Sequence, residues 1–161
     1  MEKRLEYLSG ITSQEATLLR AVGVRHTNQL LHATTIAFDR QRLSRKTGIA
    51  PDRLCEFARQ CSLMEITGLT PYLDQMRRVG IHGPKDLRMA DPKALQERLL
   101  TTVGPFRAPV VTMVEYWISQ ARCIDILDEE GQIRPASWSS PSVFGEPPGS
   151  IFEELEADQT A

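Results

Sequence analysis

The chain has 161 residues and a mass of 18.1 kDa, enough to bury one ordinary core without disulfides or metal. With 41% hydrophobic and 25% charged residues and a formal charge of −2, its composition excludes wholesale disorder, collagen-like repeats and coiled-coil rods. The two signs of charge are segregated: residues 1–124 carry 18 Lys and Arg against 12 Asp and Glu, while residues 125–161 carry 1 against 9.

No run approaches the roughly 20 apolar residues of a membrane helix. The charged start MEKRLEYLSG is unlike a secretory signal, so a cytoplasmic location is expected. Short periodic segments broken by Gly, Pro and Thr, with no strand-length alternation, predict an all-α body over residues 1–124. Its first feature is Leu8-Ser9-Gly10-Ile11-Thr12, a tight turn from a short helix into a second helix of about three turns. Thr12-Ser13-Gln14-Glu15 has the form of a capping box, in which the threonine oxygen accepts from the N3 N–H and the glutamate reaches back to the cap's own N–H. Gly23-Val24 then ends the helix at a residue suited to the left-handed cap conformation.

Further along, Arg40, Arg42, Arg45 and Lys46, followed by Arg53 and Arg59, form the densest basic stretch. Such a stretch either steers an acidic protein surface or the chain's own tail, tracks phosphates, or is a plain solvated helix face. Leu54, Phe57, Ala58 and Cys61 recur at helical spacing and predict a core helix. Ile66-Thr67-Gly68-Leu69-Thr70 then repeats the first turn at an offset of 58, with Thr70-Pro71 reading as a cap followed by proline at the first helical position. Gly80-Ile81 answers Gly23-Val24 at an offset of 57, which also pairs Leu30 with Leu87, Ala33 with Ala90, Ala37 with Ala94 and Leu43 with Leu100. Arg77 and Arg78 fall in the helix after this second turn and read as an exposed face. Val110, Met113, Val114, Trp117, Ala121 and Ile124 predict a closing amphipathic helix.

Residues 125–161 read as an extended acidic arm rich in Pro, Gly and Ser, too polar to fold alone. Trp138, Val143, Phe144, Ile151, Phe152 and Leu155 stand out in it as anchors for a partner's groove, and Ser150-Ile151-Phe152-Glu153 has a capping pattern.

Two short helices around a glycine turn have the form of a helix-hairpin-helix, whose usual G-h-G turn offers backbone N–H groups to a nucleic-acid phosphate. Here Gly10 and Gly68 keep the first glycine, while Thr12 and Thr70 replace the second. Those threonines either consume the donors as caps or precede a proline without one, so the hairpins are expected to be structural. The order of hairpin, Arg40–Ile49 stretch RQRLSRKTGI, helix ending CSLMEI, second hairpin and closing Trp117–Arg122 stretch WISQAR resembles a bacterial family of tandem helix-hairpin-helix proteins classed as a domain of unknown function. The resemblance covers about residues 5–124 and implies an all-helical fold of two packed repeats with no known catalytic activity.

Reactive constellations are lacking. His26, His32 and His82 have no partner at metal-ligand spacing, and no phosphate loop of Walker or Rossmann type occurs. Cys55 and Cys61 would stand roughly 240° apart around a helix; with Cys123 they are expected as buried thiols of a reducing compartment. No catalytic residue, cofactor or metal is expected. The sequence therefore reads as a non-catalytic protein–protein adaptor or assembly factor docking through its body and arm. The alternative is a DNA-binding protein with an autoinhibitory acidic tail.

Overall fold

The computed structural model describes residues 2–124 and 127–129. Among them, regular structure comprises eight α-helices and two 3-10 turns, with no strand beyond one isolated bridge between Arg4 and His26. A 3-10 turn at Leu5–Tyr7 leads to α1 (Ser13–Ala21), α2 (Thr27–Thr34), α3 (Ala37–Thr47) and α4 (Pro51–Met64). A second 3-10 turn at Thr70–Tyr72 leads to α5 (Leu73–Arg78), α6 (Pro84–Arg88), α7 (Pro92–Val103) and α8 (Val111–Cys123). Boundaries follow local chemistry: prolines stand in the first turns of α4, α6 and α7, and the Thr12 and Asp91 side chains cap α1 and α7.

The apolar faces meet in two clusters. One gathers Leu5, Leu19, Leu30, Leu54 and Phe57; the other gathers Ile66, Leu69, Met76, Leu87, Leu95, Leu99 and Trp117. Helix α4 serves both, giving Cys61 and Met64 to the first and Leu63 to the second. α2 and α3 pack on α4 as α6 and α7 pack on α8.

Backbone detail recurs between these halves. Gly10 and Gly68 have φ of +80° and +83°, and Gly23 and Gly80 both have +91°. After α1, the Val24 N–H donates to Leu19 O at 3.0 Å and the Gly23 N–H to Arg20 O at 3.0 Å; after α5, Ile81 donates to Met76 O at 2.9 Å and Gly80 to Arg77 O at 3.1 Å. Each is the bond pair that satisfies a helix's last carbonyls around a left-handed residue.

Four sequence expectations are corrected here. The pairings Ala37–Ala94 and Leu43–Leu100 fail, because Ala94 is exposed and Leu100 half-buried. The connection into α7 is one residue shorter, so Leu99 takes the buried place of Leu43 and Gly104 ends α7 as Gly48 ends α3. Thr70 is not an N-cap: Leu69 already has helical dihedrals, so Thr70 opens a 3-10 turn with no side-chain cap bond, and α5 is only 6 residues long. Val110 and Met113 leave the core face of α8, at 64% and 37% exposure. Cys55 and Cys61 are buried as expected, but Cys123, in the last turn of α8, is exposed.

Candidate functional site

At the first glycine turn, the Thr12 hydroxyl accepts from the Glu15 N–H at 3.1 Å, which is the forward half of the expected capping box. The Glu15 carboxylate is directed mainly to Arg53, whose Nε donates to Oε2 at 3.1 Å and whose Nη2 donates to Oε1 at 3.3 Å. Burial raises the Glu15 pKa, but hydrogen bonds from Arg53 and Thr12 outweigh it and hold the carboxyl below its ordinary value. Arg53 also donates to Gly10 O, pairs with Glu56 at 3.1 Å and lies over the Phe57 ring at 4.7 Å. Thus an internal carboxylate and guanidinium stand where an external phosphate would approach the start of α1. The N-terminal charge site of that helix is satisfied from within.

Behind the turn, Gln60 accepts from the Ser9 N–H at 2.7 Å and donates to Ser9 O at 3.1 Å. Sequence reasoning missed this clamp. The signal was present, since Gln60 and Gln120 hold the same place relative to the stripes Leu54–Cys61 and Val114–Ala121. Gln120 correspondingly accepts from the Thr67 N–H at 3.1 Å, beside Gly68.

The second turn differs in its chemistry. Met113 takes the position of Arg53, and its methyl carbon lies 3.7 Å from where a Cβ on Gly68 would stand, with Trp117 Nε1 at 3.6 Å. Trp117 is fully buried, its ring 5.2 Å from that of Tyr72, yet Nε1 finds no hydrogen-bond partner among the described residues, and neither does Gln120 Nε2. Phe106, Val110 and Tyr116 stand exposed with Met113 along the loop before α8 and its first turns. One turn is therefore closed by an ion pair, and its counterpart is flanked by a thioether on a segment whose large apolar side chains are exposed.

The basic stretch is divided by the fold. Arg40 is buried and donates to Thr34 O at 2.8 Å, to Thr35 O at 3.3 Å and to Asp128 O. Arg53 is locked as described, and Arg59 pairs with Glu129 at 3.4 Å. These three arginines are structural, because burial or a carboxylate partner consumes the charge a ligand would read. Arg42, Arg45 and Lys46 remain exposed on α3. Asp128 also donates its N–H to Thr35 O at 2.9 Å, so residues 127–129, following α8, return to α3 and α4, and Glu129 borders a cleft of about 310 Å³ with Arg40, Cys55 and Arg59. The expected anchors Trp138, Phe144, Ile151, Phe152 and Leu155 lie outside the described residues.

Among the described residues, no group of three or more His, Cys, Asp or Glu is placed to hold a metal. Burial, reinforced by Glu65, pushes the Cys61 thiol up to about 12, so it remains protonated at neutral pH.

The described residues thus define an all-helical domain with two glycine turns of contrasting surface chemistry. Residues 9–124 match the model of a family described as a domain of unknown function (DUF4332), and the chain belongs to that family. No curated protein and no solved structure shows significant similarity to it.

Proposed function

We propose that the chain is a non-catalytic cytoplasmic adaptor or assembly factor, built as a body of two degenerate helix-hairpin-helix units over residues 1–124 and an acidic arm over residues 125–161. The observation that carries this reading is the asymmetry of the glycine turns. At the first, Glu15 and Arg53 close the place a phosphate would use. At the second, Met113 stands in place of the ion pair beside the unpaired, buried Trp117 Nε1, and Phe106, Val110 and Tyr116 are exposed on the loop before α8 and in its first turns. Large apolar side chains exposed together on one short segment are the raw material of an interaction surface, and a thioether adapts its shape to an incoming side chain. The arm's anchors Trp138, Phe144, Ile151, Phe152 and Leu155 supply a second contact to the same partner.

The test uses the intact chain as bait in host lysate beside a Phe106→Ser, Met113→Glu variant and a Trp138→Ala variant. The expected result is a defined protein retained by the intact chain and reduced at least tenfold by each variant, insensitive to nuclease. Equal retention by all three overturns the reading.

The alternative, nucleic-acid binding masked by the acidic arm, is favoured by one observation: Arg42, Arg45 and Lys46 are exposed and make no ion pair among the described residues. It predicts binding to duplex DNA once the arm is removed, weakened by Arg42→Glu with Arg45→Glu, with a salt slope lowered by about 1 per lost phosphate contact.

A further inference from the structure

The exposed cations of α3 border a groove that the described residues leave open. Val24 from the turn after α1, Ala33 from α2 and Leu43 from α3, all buried or half-buried, form its apolar floor, and exposed Val22, Arg42 and Lys46 form its rim; the space is about 260 Å³. Asp39 closes one end from the first turn of α3, where the helix dipole favours a carboxylate, and the cations gather toward the last turn, where it favours positive charge. An apolar floor under a cationic rim suits a segment that carries large apolar side chains between carboxylates.

We infer that this groove receives the chain's own segment Ser150–Glu156, SIFEELE, with Ile151, Phe152 and Leu155 supplying the apolar contacts and Glu153, Glu154 and Glu156 facing Arg42 and Lys46. Three observations select this occupant. Charge is complementary, since residues 125–161 hold 9 acidic residues and a single Arg against the body's excess of cations. The chain is already tethered at the start of α3, where the Asp128 N–H donates to Thr35 O just before that helix and Asp128 O accepts from Arg40 within it. Residues 130–149, at about 3.3 Å each, span up to roughly 65 Å, several times the length of α3. Tethering at that range turns docking into an intramolecular event at an effective concentration on the order of millimolar. A second copy fits less well, because a stable dimer buries about 800 Å² per partner, far more than a groove that takes two or three side chains offers. The inference goes beyond the adaptor reading and does not depend on it: in the free chain Ile151, Phe152 and Leu155 occupy this groove, and a partner that takes them as anchors must first displace them.

The test is the amide spectrum of the isotope-labelled full chain. Ile151→Asp with Phe152→Asp is expected to shift the amides of Val24, Ala33, Arg42 and Lys46 while leaving Thr67 and Gly68 at the second turn in place. Arg42→Glu with Lys46→Glu is expected to weaken the contact, and adding Glu153→Lys with Glu154→Lys to restore it. The Trp117 indole signal, deep in the second cluster, reports whether each variant stays folded. Groove amides unchanged by the arm substitutions, in a folded chain, overturn the proposal. So does a shift that grows with protein concentration, which would assign the groove to a second copy, or a response confined to the Phe106–Tyr116 segment.

Discussion

Glu15 shows how one side chain decides what a helix start can bind. Three residues after Thr12, it was legible as a capping partner, and the Thr12 bond to its N–H is present. Its pairing with Arg53, 38 positions away, was not legible, because the capping pattern is local and the ion pair depends on how α4 packs behind the turn. Arg40, Arg53 and Arg59 teach the same lesson: counting cations along the chain cannot tell which are spent on carbonyls and carboxylates brought up by tertiary contacts. The pKa direction at Glu15 yields a test with a definite sign. A carboxyl held below 4.5 in the folded chain stabilises it at neutral pH, and that contribution disappears as pH falls through the folded value. Glu15→Gln is therefore expected to cost about 1 kcal/mol at pH 7. The deficit relative to wild type should shrink below pH ~4, as read from urea midpoints across the acid range. A deficit that persists undiminished at the lowest pH would assign the loss to packing instead.

Between residues and whole molecule, the glycine turns and the helices behind them are the unit that recurs. Much of this was readable. Gly10, Gly23, Gly68 and Gly80 were singled out by spacing, and all four take positive φ, a conformation that costs side-chain-bearing residues about 1–2 kcal/mol. The stripe Leu54, Phe57, Ala58 and Cys61 is buried throughout, because 3.6-residue periodicity is itself the signature of one buried face. The equivalent stripe on α8 was drawn too wide. Val110 and Met113 are apolar at core spacing but lie beside an edge that no described element covers, and periodicity reports chemistry rather than coverage. The glutamine clamps were overlooked because their matching places appear only when the stripes Leu54–Cys61 and Val114–Ala121 are aligned at an offset of 60, which differs from the 57 and 58 that relate the turns. They predict unequal costs. Gln60 makes two bonds to Ser9 and Gln120 one to Thr67. At about 1 kcal/mol per bond, Gln60→Ala should lose about 2 kcal/mol and Gln120→Ala about 1. Equal losses in chemical denaturation would mean that the second bond to Ser9 contributes nothing.

Joining the two clusters is a problem for the whole molecule, and α4 is the principal solution. The same helix places Cys61 and Met64 in one cluster and Leu63 in the other, and half-buried Leu73, at the start of α5, packs against both. Residues 127–129 add a second link, carrying the chain from α8 back to Thr35, Arg40 and Arg59 of the first half. Neither half can unfold without exposing apolar surface of the other, so the body is expected to melt as one cooperative unit. The chain's two tryptophans make this measurable. With Trp138→Phe, fluorescence reports Trp117 in the second cluster, while far-UV circular dichroism reports all the helices. The two thermal transitions should coincide. Leu54→Ala, which opens a cavity in the first cluster at a fully buried position, should cost about 2–5 kcal/mol and lower both transitions together. If the Trp117 transition stayed in place while the dichroism transition split, the halves would be independent domains, and the contacts of α4 and residues 127–129 would be too weak to couple them.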